Sequence, residues 1–188
     1  GVKVPRSFET QGFSVFGAPG SGKTQLYMLF CDAARKSGAR AVINDRSGTL
    51  VEKFYQPGDI ILNPLDTRCA PWSLFDECEH KHDFDRVASI LFPNQSGDPF
   101  WYEAPRLVFV ALAMQESRSK KPSVHRLTEN IMTMSVDELI ELGSTTLAST
   151  LIDKEVAKQT NSIRGVIATK LQAFLLFEDH MDSGFSIS

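Results

Sequence analysis

Gly17-Ala-Pro-Gly-Ser-Gly-Lys-Thr24 is the stretch whose residue types and spacing could do chemistry. It fits the pattern G-x-x-x-x-G-K-T at Gly17, Gly22, Lys23 and Thr24. Glycines let backbone N–H groups curl around phosphates without a Cβ clash. A following helix adds partial positive charge at its N-terminus. Lys23 would carry an ammonium to the β- and γ-phosphates, and the Thr24 hydroxyl would ligate Mg²⁺. The pattern therefore predicts a site for ATP and Mg²⁺ formed by Gly17, Ala18, Pro19, Gly20, Ser21, Gly22, Lys23, Thr24 and Gln25. Lys23 and Thr24 are its catalytic candidates.

Hydrolysis asks for a second acidic strand end. The apolar run Ala41-Val-Ile-Asn-Asp45 makes Asp45 a weaker metal candidate. The competing reading is an Asx-type turn residue ahead of Ser47-Gly48. No run of four apolar residues followed by Asp-Glu supplies a Walker B strand. His80 and His82 lie in an acidic run that reads as a solvated surface loop. Arg118, Lys120, Lys121 and Arg126 form a local basic patch near His125, either a solvated helix end or a contact for DNA or a neighbouring subunit. Lys154, Lys158, Arg164 and Lys170 do not share one helix face. Trp72 and Trp101 read as packing anchors rather than base-stacking platforms. Cys31, Cys69 and Cys78 show no C-x-x-C spacing, which argues against a zinc site or redox pair and suits a reducing compartment.

The elements that must position the loop follow from periodicity. Phe13–Phe16 reads as a strand entering the loop, and Lys23 to about Ser37 as a helix stopped by Gly38. Arg40–Asp45 and Asp59–Leu62 read as further strands. A strand, crossover helix and parallel strand is the βαβ unit of a doubly wound sheet. From about residue 70 the pattern turns helical. Asp83 caps a helix bearing Phe84, Val87, Ala88 and Leu91, and Trp101 to about Glu116 is an apolar helix. Ser135-Val-Asp-Glu138 is a capping box opening a short helix with Val136, Leu139 and Ile140, ended by Gly143. A long helix spans roughly Ile152 to Phe177.

The expected fold class is α/β: the N-terminal part of a P-loop nucleotide-binding domain over 1–69, then an all-α domain over 70–181. Residues 182–188 are a strand returning toward the first domain. The chain of 188 residues is 42% hydrophobic and 23% charged, an ordinary globular composition. Its net charge of −3 excludes binding to nucleic acid by bulk charge alone. No apolar run reaches the ~20 residues of a membrane span. The chain opens on Gly1 and reads as part of a longer protein.

Beyond the loop, longer strings carry a resemblance. Ala41-Val-Ile-Asn-Asp-Arg-Ser-Gly48, Ile60-Ile-Leu-Asn-Pro-Leu-Asp66, Arg68-Cys-Ala-Pro-Trp72 and Asp98-Pro-Phe-Trp101 resemble the type IV secretion coupling proteins. The TraD-like conjugative members are most similar, with the TrwB-like branch alongside. Ala157–Arg164 and Phe185–Ile187 fit as well. The resemblance implies a RecA-like domain interrupted by an all-α domain. It also implies a homo-hexameric ATPase at the cytoplasmic face of the bacterial inner membrane, its anchor outside this chain. Such a motor pumps single-stranded DNA, with protein as a second cargo, between relaxosome proteins and type IV secretion channel proteins. The Walker B strand, water-orienting Gln and trans arginine of the family are not in this chain, so hydrolysis by it alone is not expected. Many relatives carry an acidic residue where this chain has Thr49. Two other readings stay open: a P-loop nucleoside-phosphate kinase, and a non-hydrolysing partner-docking module.

Overall fold

The computed structural model describes residues 12, 14–135, 137–138, 157–178 and 185–187. The chain divides into two compact units, Gly1–Asp59 and Ile60–Ser188.

In the first unit the dominant element is α1, Lys23–Ser37. It ends as its sequence predicts. Gly38 takes the left-handed conformation (φ 68°), which an L side chain resists, and its N–H caps the carbonyls of Ala34 and Arg35. A short helix α2, Thr49–Phe54, follows the turn expected at Ser47-Gly48. Gly48 is again left-handed (φ 75°) and opens α2. Arg35, near the end of α1, donates to both carboxylate oxygens of Asp59 and to the Phe54 carbonyl. That fork closes the unit's last turn onto α1.

The expected strands are corrected here. Among the described residues, 14–16 and 40–45 are irregular, and backbone pairing is confined to two isolated parallel bridges, Ile61–Cys69 and Trp72–Phe185. Phe13 lies outside the described residues. Asp59–Leu62 contributes only Ile61. The reason is physical: apolar runs mark segments suited to a sheet, but a ladder exists only where a neighbour supplies the other half of each hydrogen bond. Phe16 is 91% exposed and Val42 fully exposed. No described residue of this unit is buried.

The second unit carries the core. It holds α3 (Leu74–Glu77), α4 (Lys81–Leu91), α5 (Phe100–Ser117), α6 (Val124–Thr133) and α7 (Ala157–Glu178). Helix α4 packs on α5, α6 on α7, and α5 touches both α6 and α7. Their shared interior contains Phe84, Phe109, Leu127, Ile131, Ile167 and Leu171. Each stands at helical spacing from a buried neighbour, such as Ile163, Ile167 and Leu171 on α7. Helix α4 starts before its expected cap: His80 is the N-cap, and Asp83 stands at the third helical position, its carboxylate accepting the His80 N–H at 3.0 Å. The Ser135–Glu138 box forms, with Glu138 N–H donating to Ser135 Oγ at 3.2 Å and Ser135 N–H to Glu138 Oε2 at 2.7 Å. The expected continuation through Val136, Leu139, Ile140 and Gly143 lies outside the described residues, as do Ile152 to Val156 and 182–184. Phe185 returns beside Trp72, its N–H donating to the Pro71 carbonyl at 2.9 Å.

Candidate nucleotide-binding site

The loop between Phe16 and α1 takes its shape from its glycines. Gly20 and Gly22 both sit at positive φ, 81° and 86°, where only glycine rests without strain. A Cβ on Gly17 would collide with the Ser21 hydroxyl. Ser21 N–H closes a turn on the Ala18 carbonyl at 3.2 Å. Gly22 caps α1 without any side-chain hydrogen bond, and no acidic residue stands in the first turn. The first-turn amides and the positive end of the helix dipole are thus left for an anion.

Lys23 folds back over this loop. Its Nζ donates to the carbonyls of Gly17 at 2.6 Å and Ala18 at 2.8 Å. The ammonium is held inside the loop at the mouth of the helix. Thr24 and Gln25 follow, both exposed. Glycine-shaped backbone, a helix N-terminus, a captured lysine and an adjacent free-standing hydroxyl form the donor set a polyphosphate with a divalent cation requires.

Asp45 is otherwise engaged. Its Oδ2 accepts from the N–H groups of Leu50 at 2.7 Å and Val51 at 2.9 Å, and Oδ1 from Ser47 Oγ at 3.1 Å. The Val51 N–H is the largest influence holding its carboxyl below the ordinary range; burial opposes it, and the Leu50 N–H and Ser47 reinforce it. The residue anchors the start of α2, matching the turn chemistry anticipated for it.

His80 and His82 are exposed, and among the described residues no group of three or more His, Cys, Asp or Glu is arranged to hold a metal. Burial pushes the Cys78 thiol up to about 11, and burial also raises Cys69. Both are protonated at neutral pH. Trp72 is a packing anchor. It stacks on Phe174 with ring centres 5.6 Å apart, meets Phe177 edge-on at 5.4 Å, and donates from Nε1 to Glu77 at 3.1 Å. Trp101 is half-exposed against Phe100. Arg164 donates to the Met134 carbonyl, and Lys170 is exposed. Lys154 and the Lys158 side chain lie outside the described residues. No helix among the described residues is long and apolar enough to cross a membrane.

Sequence reasoning missed two carboxylates. Glu77 accepts from Trp72, from Ser186 Oγ at 3.3 Å and from the Ile187 N–H at 2.9 Å. Glu116, only 5% exposed, accepts from Arg126 Nε at 2.8 Å and from the Ser123 N–H at 3.0 Å. Arg126 therefore turns its half-exposed side chain onto the buried Glu116 carboxylate at the α5–α6 corner, although sequence grouped it with the basic patch. The available signal was Glu116 itself, an acid just past the apolar run Leu107–Met114 of α5.

In chain order, the glycine-shaped loop at the helix mouth is followed by the helical unit. The chain belongs to the type IV secretion-system coupling protein DNA-binding domain family, whose model matches residues 1–188. It is 33% identical over 190 residues to the coupling protein TraD of Escherichia coli (strain K12), covering 99% of this chain and 26% of TraD. It also resembles the unbound monoclinic form of the bacterial conjugative coupling protein TrwB, with a TM-score of 0.76 and 31% identity over 91% of this chain and 41% of that one. The TrwB complex with ADP and Mg²⁺ matches with a TM-score of 0.76 and 30% identity, over 91% of this chain and 41% of that one. The chain thus spans about a quarter of TraD and two fifths of the TrwB chain.

Proposed function

We propose that this chain is the ATP-binding part of a conjugative coupling protein, a motor that pumps single-stranded DNA, and with it protein, into a type IV secretion channel. The observation that carries the reading is the Lys23 ammonium held on the Gly17 and Ala18 carbonyls beneath two left-handed glycines. Residues Gly17 to Gln25 cradle the phosphates, Lys23 neutralises the β/γ charge, and the Thr24 hydroxyl ligates Mg²⁺. ATP supplies the transferable phosphoryl group. The TrwB complexes with ADP and Mg²⁺ and with the ATP analogue ADPNP support these ligands.

In this reading 1–69 is the first part of a RecA-like domain, 70–181 its all-α insertion, and 182–188 the strand that returns. The ring is a homo-hexamer at the cytoplasmic face of the inner membrane, served by relaxosome and channel proteins. Asp45 acts by anchoring α2, with its metal role secondary. A kinase lid needs arginines poised for phosphoryl transfer. Arg126, one of few available, is committed to Glu116, which weighs against the kinase alternative.

The test is nucleotide hydrolysis by the complete coupling protein with and without single-stranded DNA. The expected result is DNA-stimulated turnover, lost in Lys23→Ala. Turnover that survives Lys23→Ala, or that transfers phosphate to nucleosides, sinks the reading.

A further inference from the structure

The turn joining α5 to α6 concentrates positive charge. From Ser117 to Thr128 the chain carries Arg118, Lys120, Lys121 and Arg126 and no acidic residue, within a protein of net charge −3. Arg118, Lys120 and Lys121 are exposed, and among the described residues none of the three is in an ion pair. Exposed Lys36 and Lys81 behave differently, each pairing with an aspartate one helical turn away.

The turn is also built to hold its shape. Glu116 accepts the Ser123 N–H and the Arg126 guanidinium from inside the corner. Arg126 Nη2 reaches on to Ser119 Oγ at 2.7 Å and to the Lys121 carbonyl. Ser119 N–H donates to the Glu116 carbonyl at 2.9 Å. The fourth cation is thus spent internally, and the backbone carrying the other three is pinned at residues 119, 121 and 123. Helix α6 begins immediately after, capped by Ser123, with no acid in its first turn and exposed His125 beside it. The nearest exposed carboxylate on α6 is Glu129, one turn on.

Three unpaired cations on a pinned turn suit a flexible polyanion whose charges recur along a backbone. We propose that Arg118, Lys120 and Lys121 form the tip by which the helical unit meets the phosphates of single-stranded DNA, with Glu116 and Arg126 as positioning residues. This rests on the DNA-motor reading and adds which surface touches the strand.

The experiment is fluorescence anisotropy of labelled oligothymidylate with the complete chain, over a series of salt concentrations. The variants are Arg118→Gln/Lys120→Gln/Lys121→Gln and, as control, Lys36→Gln/Arg86→Gln/Lys170→Gln. All six positions are exposed, so each substitution should change stability by no more than about 0.5 kcal/mol. Expected for the tip variant is weaker binding and a slope of log K against log salt shallower by about 2, from three phosphate contacts at ~0.7 each. The control keeps most of the wild-type slope. If the tip variant matches wild type, or the control falls as far, the tip is wrong and the DNA reading stands. If wild type itself ignores oligothymidylate at low salt, the DNA reading fails and the tip fails with it. If the tip binds polyglutamate and not oligothymidylate, its partner is an acidic protein and the proposal is overturned.

Discussion

The backbone N–H of Ile187 donates to the Glu77 carboxylate at 2.9 Å, across 110 positions of sequence. The same carboxylate holds Trp72 Nε1 and Ser186 Oγ, while Phe185 N–H holds the Pro71 carbonyl. The two ends of the helical unit are stapled at one point. Glu77→Ala should therefore cost about 1.5–3 kcal/mol, the range for hydrogen bonds to a charged group. Hydrogen exchange checks it: protection at Ile187 should fall while protection in the middle of α5 holds. Equal loss in both would mean Glu77 supports the whole unit rather than its closure.

The Glu116–Arg126 pair makes a pH-dependent prediction. Burial alone would raise the Glu116 carboxyl, but hydrogen bonds from Arg126 and Ser123 outweigh it and hold the group below its ordinary value. A lowered native value means the folded state favours the ionised form. Its contribution is complete above the ordinary glutamate value of ~4.3 and fades as pH falls through the lower native value. The stability difference between wild type and Glu116→Gln should be flat from pH 6 to 8 and shrink below about pH 4. Arg126→Ala, which strands a buried carboxylate, should cost about 2–3 kcal/mol in urea unfolding, less than a fully buried pair because Arg126 is half-exposed.

Burial differs sharply between the units, and core substitutions should follow. Phe109 is fully buried among the helices, so Phe109→Ala should cost about 3–5 kcal/mol. Val42 is fully exposed, so Val42→Ala should stay within about 0.5 kcal/mol. Denaturant midpoints of the two variants read this directly. A large cost at Val42 would mean that its side chain is covered in solution.

At the loop, Gly22 has φ 86°, and a Cβ there has open space around it but the wrong backbone region. Gly22→Ala should strain the loop by about 1–2 kcal/mol and weaken nucleotide binding several-fold, with the melting of the helical unit unchanged. Nucleotide titration with circular dichroism melting separates the two effects.

How legible was all this in the residues? Helix α1 was readable to its last residue, because Leu26, Leu29 and Ala33 recur at helical spacing and Gly38 stops them. The Ser135–Glu138 box was readable because a hydroxyl and a carboxylate three apart can satisfy each other's amides. Helix α6 was not. Val124, Leu127 and Ile131 have the right spacing, but the polar residues between them and the nearby Pro122 hid so short a stripe. The strands show the opposite failure. Val42-Ile43 is β-branched and favours a strand, yet pairing is a property of two segments, and local preference cannot report the second. Within the candidate site the glycines and Lys23 were legible because their roles are local. Glu77 and Glu116 were not, because the distant partners that give them their roles, Ser186 and Ile187 for Glu77 and Arg126 for Glu116, lie ten to 110 residues away.

The most direct measurement is a titration of the chain with a fluorescent ATP analogue, with and without Mg²⁺, for wild type and Lys23→Ala. The account predicts saturable binding that Mg²⁺ tightens. Lys23→Ala should weaken it ten- to a hundred-fold, the worth of about 1.5–3 kcal/mol for a charge-assisted contact. Equal affinity in wild type and Lys23→Ala would contradict the claim that this loop is the nucleotide site.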